Sequence, residues 1–201
     1  MRGLKVTAIV LAGGGSSRMG FNKALMKLGE ETVIERTVKP LLEVFEEVMI
    51  ITDTPEVYSF LKGVAFYSDA KELKERNSMI GIYTGLLRAK YPKAFVVACD
   101  MPLISKKLLI YMKQQLHDED ILIPVVNGFY EPLHAFYSKS CLPVFEDCIN
   151  REKFKVTAAF QGFKIKTVDE EFIRVYDKEL QSFININTIE EYQRVCEMLR
   201  H

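Results

Sequence analysis

The chain has 201 residues, of which 48% are hydrophobic and 27% charged, a composition that suits one globular domain over residues 1–201 with a sizeable core. Lys plus Arg number 27 and Asp plus Glu number 27, so no net field recruits nucleic acid or an acidic membrane, and any phosphate affinity has to be local. The apolar runs are too short to span a bilayer, no signal-peptide core follows Met1, and the four cysteines (Cys99, Cys141, Cys148, Cys196) contain no C-x-x-C pair; together these lead to the expectation of a cytoplasmic chain with reduced thiols, no structural zinc, and no membrane or nucleic-acid partner.

Val6-Thr7-Ala8-Ile9-Val10 is apolar and β-branched and reads as a buried strand. It leads into Leu11-Ala12-Gly13-Gly14-Gly15-Ser16-Ser17-Arg18-Met19-Gly20, with Lys23 just beyond. Consecutive glycines let backbone N–H groups approach a ligand, and Arg18 and Lys23 add two cations, a combination that suits a polyphosphate. Gly15 and Gly20 have P-loop spacing, but Phe21-Asn22 follow where Lys-Ser/Thr is required. The dinucleotide fingerprint also fails, because Arg18 stands where its third glycine should be. This leaves a nucleotide-binding loop of another kind, or a glycine-rich surface turn.

Thr32-x-x-Glu35 reads as a capping box opening a helix, which Pro40 should kink or split. Residues 48–51 form a second strand, residues 56–61 a short helix, and residues 64–66 a brief strand ending near Asp69. Ser78 is placed to cap a helix running to about Lys90, and Ala94-Phe95-Val96-Val97-Ala98 is a continuous apolar strand. Residues 105–116 read as helix and 121–125 as strand. Asn127-Gly128 signals a hairpin, giving a small antiparallel insertion over about 125–137. A helix over about 138–149 and a less regular stretch lead to the last strand and helix. The rhythm predicts an α/β fold: a Rossmann-like, doubly wound, mostly parallel sheet with a small antiparallel insertion.

Asp100 follows the apolar strand, and ligands of open α/β sheets bind beyond the carboxyl ends of the strands, where the glycine loop also falls. A carboxylate beside a polyphosphate is a natural magnesium ligand, and a helix cap or loop acid is the alternative. In Phe183-Ile184-Asn185-Ile186-Asn187-Thr188, Asn185 and Asn187 project together from an extended segment, before a helix capped by Thr188-x-x-Glu191. Two such amides could reach a metal, a phosphate or a heterocycle, or one could simply serve the turn. Asp69 suits a nucleotide or a turn. Gly81 and Gly85 suit close approach of a ligand or of the sheet. Glu131-Pro132-Leu133-His134 is placed to line a second pocket, although a buried, structural His134 is the commoner outcome. Arg151, Lys153 and Lys155 suit a second phosphate or a solvated loop.

The run from Leu11 to Lys23 resembles the signature of the sugar-nucleotide pyrophosphorylase-like nucleotidyltransferases. Taken with Cys99-Asp100-Met101-Pro102, Glu131-Pro132-Leu133-His134-Ala135 and the Asn185-x-Asn187-Thr188 segment, the chain is similar over nearly its whole length to the molybdenum cofactor guanylyltransferases. That resemblance implies transfer of GMP from GTP to the terminal phosphate of molybdenum-molybdopterin, with release of pyrophosphate. It implies amides of Leu11, Ala12 and Gly13 seating the nucleotide, Arg18 and Lys23 offsetting phosphate charge, Asp100 holding Mg2+, Asp69 helping to hold GTP, and Asn185 and Asn187 facing metal or pterin. It also implies proteins that deliver molybdopterin and molybdoenzymes that accept the product. Two departures stand where the base is expected: Asn77-Ser78-Met79 replaces the usual Gly-Pro-Leu, and Thr52 replaces a common asparagine. The alternatives are a same-fold cytidylyl- or sugar-phosphate nucleotidyltransferase, or a GTP-sensing module without turnover.

Overall fold

The computed structural model describes residues 4–13, 22–69 and 77–200. Its central strand is β1 (Thr7–Leu11), in which every residue is buried, as a β-branched run flanked on both faces requires. A small hairpin follows, β2 (Lys27–Leu28) and β3 (Glu31–Thr32), turning through Gly29 at φ 70°. Helix α1 (Val33–Val44) opens on the anticipated capping box: the Thr32 side chain accepts from the Glu35 N–H, and the Glu35 carboxylate accepts from the Thr32 N–H at 2.6 Å. Pro40 does not split it. The helix continues through Pro40 because Val33, Ile34, Thr37, Val38 and Leu41 bury its inner face, and that burial outweighs one missing backbone bond.

Next come β4 (Glu47–Ile51) and β5 (Ala65–Tyr67), joined through a 3-10 turn at Pro55–Tyr58 in place of the short helix expected over 56–61. Helix α2 (Ser78–Arg88) is capped by Asn77, one residue earlier than the sequence suggests. There follow β6 (Lys93–Ala98), α3 (Lys106–Gln114), β7 (Ile121–Val126), β8 (Phe129–Tyr130), β9 (His134–Ser138), α4 (Leu142–Asn150), β10 (Ile165–Asp169), α5 (Glu170–Tyr176) and α6 (Ile189–Met198). The stretch beyond Asn150 is therefore more regular than expected. Residues 184–187 are extended but join no strand, so the last strand of the chain is β10.

The sheet runs β10-β7-β9-β6-β1-β4-β5, with β8 paired to β7. Only β9 and β8 run against the rest. The hairpin at Asn127-Gly128 forms as anticipated, both residues having positive φ, but its return strand is no peripheral insertion: β9 lies between β6 and β7 in the main sheet. It meets β7 only at Ile121 and Leu122; beyond Pro124, β8 takes over at Val125 and Val126. One face of the sheet, with Val10, Phe95 and Phe136, packs against residues such as Leu41 and Leu108 of α1 and α3. The other, with Ile9, Val96 and Tyr137, packs against residues such as Ile82 and Phe145 of α2 and α4. Helices thus cover both faces, the doubly wound arrangement expected.

Gly81 and Gly85 bring α2 close to β1. A Cβ at Gly85 would stand 2.6 Å from Ile9 Cγ2 and 2.7 Å from its Cδ1, whereas one at Gly81 would stand 3.0 Å from the tip of Leu11. Ile9 is stiff and fully buried. Gly85→Ala is expected to destabilise the fold by about 1 kcal/mol, overpacking of roughly 1–3 kcal/mol exceeding the ~1 kcal/mol gained in helix propensity. Gly81→Ala should lose less, and urea unfolding of the two variants measures the difference.

Candidate active site

The parallel register aligns the strand ends. Leu11 pairs with Ile51 on one side and Ala98 on the other, and Ile51 pairs with Tyr67. Whatever follows these four residues therefore lies along one edge of the sheet, and Gly13, Asp69 and Asp100 all follow within two residues. Leu11, Gly13, Asp69, Asn77 and Gly81 line one small pocket there.

The three backbone amides assigned to the nucleotide divide. Leu11 sits inside the ladder, and the Ala12 N–H donates to the Ile51 carbonyl at 3.0 Å, so neither N–H faces a ligand as anticipated. Gly13 lies beyond the ladder, and Leu11 contributes its side chain to the pocket wall. Arg18, Gly14 and Gly15 lie outside the described residues. Lys23 begins a short 3-10 turn, Lys23–Leu25, whose cap Asn22 accepts from the Ala24 N–H and donates to the Tyr58 hydroxyl at 2.8 Å.

Asp100 is held through its backbone. Its carbonyl accepts from the Ile186 N–H at 3.0 Å, and the Thr37 hydroxyl reaches the carbonyls of Cys99 (3.4 Å) and Met101 (3.1 Å) on either side. Its carboxylate is differently placed: Oδ1 is buried and has no hydrogen-bond partner among the described residues. Burial raises the Asp100 pKa, Lys23 draws it back, and Glu191 pushes it further up. A buried carboxylate oxygen without a donor, beside one lysine, suits a cation shared with phosphate oxygens.

The Ile186 bond also brings the C-terminal segment to this edge. Ile184 and Ile186 pack with Leu28, Val33 and Val195, as the alternation predicts. Asn185 is half-buried and Asn187 exposed, while the Asn187 and Thr188 N–H groups donate to the Glu191 carboxylate at 2.6 and 2.9 Å. Asp69 stands just past β5, its N–H directed at Asp53 Oδ1 at 3.4 Å.

Among the described residues, two secondary candidates do not form sites. His134 is fully buried, its ring 5.0 Å from Phe95 and 4.8 Å from Phe183, so it belongs to the core. Arg151, Lys153 and Lys155 are exposed, and Arg151 pairs with Asp147 one helical turn back at 3.0 Å. Asn77 was missed as a functional residue. Two signals pointed to it: its place immediately before Ser78, the residue that sequence reasoning made the cap, and the departure Asn77-Ser78-Met79 where the resemblance puts the base.

The MobA-like NTP transferase domain model matches residues 8–162. A probable molybdenum cofactor guanylyltransferase of Natranaerobius thermophilus is 36% identical over 197 residues, 96% of each chain. A probable molybdenum cofactor guanylyltransferase of Clostridium perfringens strain 13 is 39% identical over 194 residues, 94% of this chain and 96% of that one. The crystal structure of molybdopterin-guanine dinucleotide biosynthesis protein A from Archaeoglobus fulgidus superposes with a TM-score of 0.83 at 26% identity, covering 97% of this chain and 99% of that one.

Proposed function

Since the chain belongs to the MobA-like NTP transferase family, within its molybdenum cofactor guanylyltransferases, we propose that it transfers GMP from GTP to the terminal phosphate of molybdenum-molybdopterin, forming the guanine dinucleotide cofactor and pyrophosphate. A phosphate oxygen of the pterin attacks the α-phosphorus of GTP, a new P–O bond forms, the α–β bridge breaks, and pyrophosphate leaves with the electron pair. Such a step needs positioning and charge neutralisation more than covalent catalysis.

The observation that carries this reading is the Asp100 carboxylate oxygen, buried and without a donor among the described residues, on the same sheet edge as Gly13 and Asp69. Asp100 would hold a divalent cation, magnesium by preference, which when bound offsets charge on the phosphate oxygens. Lys23, and Arg18 from the glycine loop, oppose charge on the triphosphate and stabilise the leaving pyrophosphate. Gly13 admits the phosphates to the backbone, Asp69 holds the base, and Asn185 and Asn187 face the acceptor side of Asp100. Among the described residues no helix is long and apolar enough to cross a membrane.

The test is pyrophosphate release with molybdenum-loaded molybdopterin and magnesium, comparing GTP, CTP, ATP and UTP. Release is expected with GTP, lost on chelation and restored by magnesium. A preference for CTP would keep the chemistry and move the chain to cytidylyl transfer; GTP binding without release from any nucleotide would make it a sensor.

A further inference from the structure

We propose that Asn77 reads the base: its side-chain amide donates to the oxygen at the purine 6-position and selects guanine over adenine. The inference rests on the nucleotidyl-transfer reading above and assigns a specificity residue within it.

The orientation of the Asn77 amide is fixed by its capping role. Oδ1 accepts from the Ile80 N–H at 3.1 Å, so this end of the amide is the oxygen and Nδ2 is directed elsewhere. Nδ2 is buried and has no hydrogen-bond partner among the described residues. A buried amide donor left without an acceptor is costly, and among the described residues nothing in the fold needs it, since serine or aspartate caps a helix as well. The residue lines the small pocket at the strand ends, together with Asp69 and the wall made by Leu11, Gly13 and Gly81; at about 20 Å³ it takes the exocyclic edge of a base and leaves the ring at its mouth.

That pocket offers a donor from Asn77 and a carboxylate from Asp69. Guanine presents a carbonyl oxygen at position 6 and two N–H donors beside it, at N1 and the 2-amino group, so a carboxylate can accept both while an amide N–H meets the oxygen. Adenine carries an amino group at position 6 and cytosine carries one at its corresponding edge, and each would set a donor against the Asn77 donor. Rejection of this kind, through a buried polar group left unpaired, discriminates more strongly than shape alone.

The experiment measures dissociation constants of the full chain for GTP, ITP and ATP with magnesium, by calorimetry, for wild type, Asn77→Ser and Asn77→Asp. Both variants keep a capping oxygen and lose the amide N–H: serine keeps an O–H, but on a shorter side chain, and the aspartate carboxylate carries no donor. GTP and ITP, which share the 6-oxygen, are expected to bind Asn77→Ser about tenfold more weakly, while ATP, relieved of the opposing donor, binds no more weakly than to wild type. Asn77→Asp, which faces the 6-oxygen with another oxygen, should weaken GTP further and bring the GTP-to-ATP ratio toward unity. If Asn77→Ser lowers the melting temperature, Asn77→Asp carries the comparison, its cap being as strong as that of asparagine. Unchanged GTP preference in folded variants would overturn the role of Asn77 and leave the transferase reading standing. A wild-type chain that binds GTP no better than ATP would overturn both.

Discussion

Asp100→Asn is expected to lower pyrophosphate release from GTP by about 10²–10³-fold while leaving the protein folded at least as firmly as wild type. The two halves of that expectation share one origin. The backbone of Asp100 is structural, its carbonyl tied to Ile186 and its neighbours' carbonyls to Thr37, and none of these bonds involves the carboxylate. The carboxylate lies partly buried with one oxygen lacking any donor among the described residues, and burial raises its pKa despite Lys23. The native fold therefore gains little from the charge, whereas phosphoryl chemistry at this edge needs it. Thermal melts beside pyrophosphate assays separate the two effects. Turnover that survives in Asp100→Asn with magnesium present would reduce Asp100 to a loop residue, and a fall in stability matching the fall in rate would do the same.

Lowering the pH from 7 to 5 should remove about 2 kcal/mol of stability through His134 alone. The ring is fully buried, and both of its nitrogens lack hydrogen-bond partners among the described residues. Burial drives its pKa down to about 3, with only the Asp177 carboxylate pulling the other way. In the unfolded chain the imidazole takes up a proton near pH 6.5. Between these values only the unfolded state binds the proton, so the contribution is complete above pH 6.5 and declines steadily as the pH falls toward 3. Glu46 and Glu119 respond lower. Burial alone would raise them, but backbone N–H donors together with Lys113 and Lys93 hold their carboxyls below the usual range, so they lose their contribution beneath about pH 4.5. Asp100 and Glu131, both raised by burial, act in the opposite sense. Urea unfolding at pH 7 and pH 5, for wild type and His134→Leu, isolates the histidine as the difference between the two slopes. Identical slopes would mean that the ring finds an acceptor and protonates in place.

Much of this architecture was legible in the chain. A central strand flanked by two others announces itself by an unbroken apolar run, as residues 6–10 and 94–98 do, and a capping box such as Thr32-x-x-Glu35 has a local cause that tertiary packing does not override. Where the reading failed, the deciding interaction was distant. Pro40 reads as a helix breaker until the buried stripe around it is known. β10 alternates only weakly because it is a half-exposed edge strand that needs β7 for its register. Nothing local says that β9 slots between β6 and β7, since the Asn127-Gly128 turn specifies a hairpin but not where its return strand docks. At the site, the glycine loop and Asp100 were found through residue types and position on the sheet edge. The engagement of the Ala12 amide by Ile51, and an Asn77 donor that meets no acceptor among the described residues, were invisible, because each depends on a hydrogen bond across elements or on its absence.

The placement of β9 matters also to the chain as it is made. Both strands that flank β7 in the sheet, β9 and β10, come later in the sequence, so β7 is synthesised before either neighbour exists. Until then, Ile121–Val126 is six residues of Ile-Leu-Ile-Pro-Val-Val with no charge, the composition most prone to pair with a like strand on another nascent chain. Pro124 lies in its middle. Because β9 covers β7 only at Ile121 and Leu122, the finished sheet tolerates a residue without an N–H there, and the unfinished one gains a gatekeeper against intermolecular stacking.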